Sequence, residues 1–165
     1  MNRLVAILAV LAIAAPAWSQ TAPAPAASPA APAPPYGAPI GLEAAQALID
    51  RAVAVAGERR FRMAIAIVEP SGELVAFARM DDTQYGSIHV AQRKAATAAR
   101  YRGPTSAVEE RTLAGRTVTL ANEDMLPIAG GVPIVVDGRI IGAIGVSGAA
   151  AAQDDEVARA ALAAD

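Results

Sequence analysis

Charge is partitioned abruptly along this chain. Of its 30 Asp, Glu, Lys and Arg residues, 29 lie from Glu43 onward. A charged, water-facing surface can therefore be built only by the later part, and the early part has to be something other than a folded domain. Residues 1–19 carry Arg3, an uncharged apolar run over 4–15, and Ala17-Trp18-Ser19. That is the layout of a secretory signal peptide cut before Gln20. A membrane anchor needs about 20 apolar residues, and Pro16 interrupts this run early. The expected membrane contact is thus only that of the uncleaved signal peptide. Residues 20–39 are almost wholly Ala, Pro, Ser and Thr and hold seven of the twelve prolines. Proline removes backbone donors and favours extended polyproline II geometry, so this stretch reads as a spacer. The folded domain is then 40–165, with 16 acidic and 13 basic residues.

Composition excludes several classes of chemistry. There is no cysteine, which removes disulfides, zinc–thiolate sites, iron–sulfur clusters, a thiol nucleophile and covalent c-type haem attachment. Export without cysteine suits a Gram-negative periplasm, where disulfides are optional. The single histidine, His89, rules out a site with two or three histidine ligands from one chain. A net charge of -2 argues against nucleic acid as a partner, because that footprint needs clustered Lys and Arg. With 43 alanines and 4% aromatics, a small domain has a modest core. The mature protein is expected not to be a monomer.

Periodicity gives the elements. Over 42–60, Leu42, Ala45, Leu48, Ile49, Ala52, Val53 and Ala56 recur at helical spacing. Residues 63–68 and 74–80 are strands around the turn residues Pro70-Ser71-Gly72. Asp81-Asp82-Thr83 are placed to cap a helix over 85–102, which Gly103-Pro104 stops. Ser106 and Glu109 have the spacing of a capping box on a short helix that Gly115 ends. A second hairpin turns at Asp137-Gly138 between 133–136 and 139–147. Gly142, Gly145 and Gly148 mark bulges or close backbone approach there. Asp154-Asp155-Glu156 open a final helix. Two hairpins with segregated helices make an α+β fold, an antiparallel sheet sandwiched with helices.

The chemistry-bearing residues are few. Gly142-x-x-Gly145-x-x-Gly148 lies along a hairpin strand rather than between a strand and a helix of a parallel unit, which removes the dinucleotide reading. Gly130-Gly131 reads as a tight turn, and Ser147 has no nucleophile-elbow context. On the 85–102 helix, Tyr85, Ile88, Ala91, Ala95 and Ala98 form a packing stripe. His89, Gln92, Arg93, Ala96 and Arg100 form the neighbouring face. That face suits an anionic ligand, or else is an ordinary solvated one. Arg79, Arg93, Lys94 and Arg100 are the cations available to pair with carboxylates.

Several stretches, in order and at matching spacing, resemble the GlcG/HbpS family of small haem-binding proteins. They are Val68-Glu69-Pro70-Ser71-Gly72-Glu73-Leu74, Arg79-Met80-Asp81, Gln92-Arg93-Lys94-Ala95-Ala96-Thr97-Ala98, Pro104-Thr105-Ser106, Ile128-Ala129-Gly130-Gly131-Val132-Pro133-Ile134, and the run from Val135 through Gly148 followed by Asp155-Glu156. The resemblance implies a central antiparallel sheet of about five strands and oligomers of even number. It also implies haem binding in some members, iron binding or haem degradation in others, and glycolate or corrinoid metabolism nearby in others. One haem-binding member uses a threonine before the Ala-Gly-Gly turn as axial ligand, and the matching residue here is Met125. Thioether sulfur is an established haem ligand that raises the potential. Where that member carries a Glu-x-x-Glu iron motif, this chain has His89 and Gln92, a poorer pair for hard ferric iron. His89 is the alternative axial ligand.

Three functions follow as expectations. The first is an exported protein binding haem non-covalently for sequestration, sensing or an accessory role, with Met125 or His89 on the iron and Arg93 and Lys94 at the propionates. The second is an enzyme or accessory protein for a small organic acid such as a 2-hydroxy acid, with Arg93 or Arg100 clamping the carboxylate. Neither a nucleophile nor paired catalytic carboxylates support catalysis. Asp81, Asp82 and Asp154 to Glu156 are loop candidates whose simpler role is helix capping. The third is a docking module for a membrane sensor.

Overall fold

The computed structural model describes residues 32–163. The expected signal peptide, the expected spacer up to residue 31 and the last two residues lie outside the described residues. Within them the order is α1 (Leu42–Glu58), β1 (Ala64–Val68), β2 (Leu74–Arg79), α2 (Gly86–Arg100), α3 (Thr105–Leu113), a short 3-10 turn (Thr117–Ala121), β3 (Gly131–Val136), β4 (Arg139–Ser147) and α4 (Ala151–Ala163). No helix among the described residues is long and apolar enough to cross a membrane.

The two hairpins join through β1 and β4 into one antiparallel sheet of order β2-β1-β4-β3. Strand β1, Ala-Ile-Ala-Ile-Val, is buried throughout, so both of its faces are covered. The period-two alternation sorts its residues by size. Ile65 and Ile67 join Leu48, Ile49, Ile144 and Val157 in the core under α1 and α4. Ala64 and Ala66 face the alanines of α2, Ala91, Ala95, Ala98 and Ala99. Small residues on both sides bring the α2 backbone down onto the sheet. The clearest contact is at Gly145, where an added Cβ would collide with the Ala91 carbonyl and lie 2.6 Å from the Ala95 nitrogen. High alanine content is therefore a packing device on this face, and the expected close approach at Gly145 is real.

The second hairpin forms at the expected residues. Asp137 and Gly138 both have positive φ, 48° and 71°, the requirement of a type I′ turn. Helix α2 ends in a Schellman arrangement: Gly103 N–H donates to the Ala98 carbonyl and Arg102 N–H to the Ala99 carbonyl.

Four expectations need correction. The sheet has four strands rather than about five. The chain bordering β4 on the β1 side contributes a single parallel bridge, Tyr36 to Ile140, because Pro35 and Pro39 have no N–H to give. Second, the spacer ends before residue 39. The Gly37 and Ile40 amides donate to Ile140 and Ile141, the Ile140 amide donates to Pro35, and the Tyr36 hydroxyl donates to the Ala99 and Arg100 carbonyls at the end of α2, at 3.0 Å each. Third, the first turn of α2 is not capped by Asp81-Asp82-Thr83. Its N-cap is Tyr85, without a side-chain cap, and Tyr85 is 79% exposed rather than packed. Fourth, Ser106 and Glu109 form no capping box. The N-cap of α3 is Pro104, and the Glu109 carboxylate accepts the Ala129 amide at 3.3 Å.

Candidate functional site

The Ala129-Gly130-Gly131 turn is held from three directions. Glu109 takes the Ala129 amide, and the Thr105 hydroxyl accepts the Gly131 amide at 2.9 Å. The Gly130 carbonyl accepts the Val146 amide at 2.9 Å. Beneath the turn lies Lys94, the only lysine in the chain, at 1% exposure. Its ammonium donates to Asp154 at 2.7 Å and to the Val146 carbonyl at 3.1 Å. The other Asp154 oxygen accepts the Gly148 and Ala149 amides. Burial pushes the Asp154 carboxyl above its ordinary range, against the pull of Lys94 and the two amides. With the Ala129 and Gly131 amides engaged, the turn is a structural joint rather than a phosphate cradle. Lys94 likewise has its ammonium committed inside the protein, so its expected contact with a propionate is replaced by an internal ion pair.

The remaining candidate residues lie along the outer face of α2. His89 is exposed and Gln92 is half-buried, with its amide donating to the Ile88 carbonyl. Among the described residues, no three His, Asp or Glu side chains gather as a metal site. Arg93 is exposed and donates to the Glu123 carbonyl at 3.1 Å. Thr97, one turn further on, accepts the Leu126 amide at 2.9 Å. These two bonds lay the 122–126 loop along α2 and fix the backbone next to Met125. His89 is eight residues before Thr97, about 12 Å along the axis. Arg100 is occupied elsewhere: it donates to the Ser71 carbonyl at 2.7 Å and pairs with Glu73 and Asp124. Arg79 sits over the Tyr85 ring, 5.3 Å from its centroid. Ser147 is buried against Ser87, hydroxyl to hydroxyl.

Met125 lines a cleft of about 510 Å3 between α3, the 3-10 turn and the loop. Val108, Val118, Thr119 and Asn122 form its walls together with Arg111 and Arg116, and among the described residues no carboxylate lines it. His89, Arg93 and Lys94 are not among its lining residues. The 3-10 turn buries none of its residues. Val118 and Leu120 are 66% and 63% exposed, which leaves apolar surface beside the cleft. Nothing in the sequence spacing of Arg111 and Arg116 ties them to Met125. Only the Gly115 reversal brings them to its cleft.

A family model described as haem degrading protein HbpS-like matches residues 40–163. The chain belongs to this family. It is 41% identical over 103 residues to Protein GlcG of Escherichia coli K12, covering 62% of this chain and 77% of GlcG. The crystal structure of a double mutant of Streptomyces reticuli HbpS superposes with a TM-score of 0.71 at 31% identity, over 84% of this chain and 97% of that one. A crystal structure of a PduOC:heme complex superposes at 0.70 with 25% identity, over 77% of this chain and 95% of that one. The HbpS-like family thus gives this chain its α+β fold and a haem-related setting.

Proposed function

We propose that this protein is an exported HbpS-like protein that binds haem non-covalently in the cleft beside Met125. One observation carries the reading: the cleft presents a thioether and two valines, with two arginines and, among the described residues, no carboxylate. The donor set fits haem in kind, a large apolar plane bearing two anionic groups. Bound haem supplies an iron whose potential a thioether ligand raises. The protein's own share is to offer the Met125 sulfur from a loop pinned at Thr97 and to cover the ring with Val108 and Val118. HbpS and the haem-bound PduOC are relatives of this fold, which supports the same ligand class here. The role is sequestration, sensing or an accessory function in the periplasm.

Met125→Ala is expected to shift the Soret maximum in a spectrophotometric haem titration and to weaken binding. His89→Ala is expected to leave both unchanged, since His89 stands outside the cleft. A shift on His89→Ala with none on Met125→Ala would transfer the iron to α2. The protein is further expected to reach the periplasm with Gln20 as its first residue and to assemble with itself through exposed apolar surface such as Leu113 and Leu120. Intact mass of the periplasmic protein and light scattering at micromolar concentration check both. An uncut chain or a monomer mass would contradict them.

A further inference from the structure

Two cations stand on one rim of the Met125 cleft, and among the described residues no hydrogen bond or ion pair accounts for them. Arg111 lies in the last turn of α3 and Arg116 is the N-cap of the 3-10 turn. Gly115, with φ of 100°, reverses the chain between them, and the Arg116 amide donates to the Arg111 carbonyl at 3.0 Å. One backbone bond thus brings both residues to the same edge. Both are exposed, and among the described residues neither guanidinium makes a hydrogen bond or ion pair. By contrast, Arg59, Arg100 and Arg159 pair with carboxylates, and Arg93 and Arg139 donate to carbonyls. The walls between this rim and Met125 include Val108 and Val118.

Two valines, a soft sulfur and two cations at one edge describe the complement of an amphipathic dianion. We propose that Arg111 and Arg116 are the propionate anchors of the cleft, in place of Arg93 and Lys94. This assignment rests on the haem reading above. Guanidinium meets carboxylate in a planar, two-bond geometry that lysine cannot reproduce. Two such anchors on one rim also fix which edge of the ring points outward. The anchors act at the ring's edge and leave the iron's ligand field alone.

The test compares haem with haem dimethyl ester, whose propionates carry no charge, on wild type, Arg111→Gln/Arg116→Gln and Arg93→Gln. Circular dichroism checks that each variant is folded. The double variant is expected to bind haem more weakly by roughly tenfold or more per lost contact, with an unmoved Soret maximum. It should bind the dimethyl ester as wild type does. Wild type itself should lose a similar factor on going from haem to the ester, a comparison that needs no variant. Arg93→Gln, which frees one tether of the Met125 loop, should change the binding of haem and of the ester by the same factor, because no propionate contact is lost. Haem binding by the double variant as tight as wild type overturns the assignment while leaving the haem reading intact. An equal loss for haem and ester in the double variant also overturns it, because the two arginines would then shape the cleft rather than bind charge. A wild type without any Soret band overturns the haem reading and this assignment together.

Discussion

Lys94→Met is expected to destabilise the domain by about 3–5 kcal/mol, the usual cost of removing one member of a buried ion pair. In a domain of this size that lowers the melting temperature by on the order of 10 °C or more. The reason is the company Asp154 keeps. Its carboxylate has lost water, and its partners are the Lys94 ammonium and the Gly148 and Ala149 amides. Without Lys94 it is left ionised and incompletely satisfied, or it takes up a proton. The double variant Lys94→Met/Asp154→Asn removes both charges and keeps an oxygen for the two amides. It should recover most of the loss, since a buried pair replaced as a unit is often nearly neutral. Thermal melts of the three variants measure this, and a Lys94→Met protein as stable as wild type would contradict it.

Gly145→Ala should be comparably severe for a different reason. The new methyl group would meet main-chain atoms of α2, the Ala91 carbonyl and the Ala95 nitrogen, which cannot rotate away as a side chain can. Overpacking a core costs about 1–3 kcal/mol where neighbours can adjust. Here the adjustment is to lift α2 off the sheet along its alanine face, so the cost belongs at or above the top of that range. Gly86→Ala, in the first position of the same helix, is the control. A Cβ there meets nothing within 4 Å, and alanine is the better helix former. Urea denaturation should show a large drop in midpoint for Gly145→Ala and none for Gly86→Ala. Equal midpoints would mean that α2 sits higher on the sheet than described.

These two residues also mark where the sequence is legible. The β3–β4 hairpin is readable because turn chemistry and β-branched pairing are local: Asp137-Gly138 announces both the turn and its register. The close approach at Gly145 is readable in kind, since glycine within a strand has few other uses. Lys94 is harder. Ser87, Ala91, Lys94 and Ala98 recur at spacings of three and four and are all buried, so periodicity alone points inward. A lone charge argues the opposite until its partner is known, and Asp154 lies 60 residues away on α4. Its acidity suggested a helix-end charge. Its position makes it the counter-ion of Lys94.

The capping expectations failed for a related reason. Ser106 and Glu109 have the right spacing, but Glu109 finds the Ala129 amide across the fold, and a tertiary partner displaces the local one. The candidate site shows the same limit more sharply. Met125 could be singled out from the family pattern around the Ala-Gly-Gly turn, whereas its cleft depends on where α3, Gly115 and the 3-10 turn place Arg111, Arg116 and Val118. Those placements are set by loops with weak local signals. The outer face of α2, by contrast, has helical spacing that is easy to read, and it offers His89 and Arg93 at positions outside the cleft.

Haem titration of the wild-type chain without residues 1–19 tests the central claim most directly. Difference spectra at constant protein concentration and rising haem should develop a Soret band that saturates at one haem per chain. The haem should be fully extractable into acid–organic solvent, since there is no cysteine to attach it. A spectrum that remains that of free haem through the titration would contradict the account.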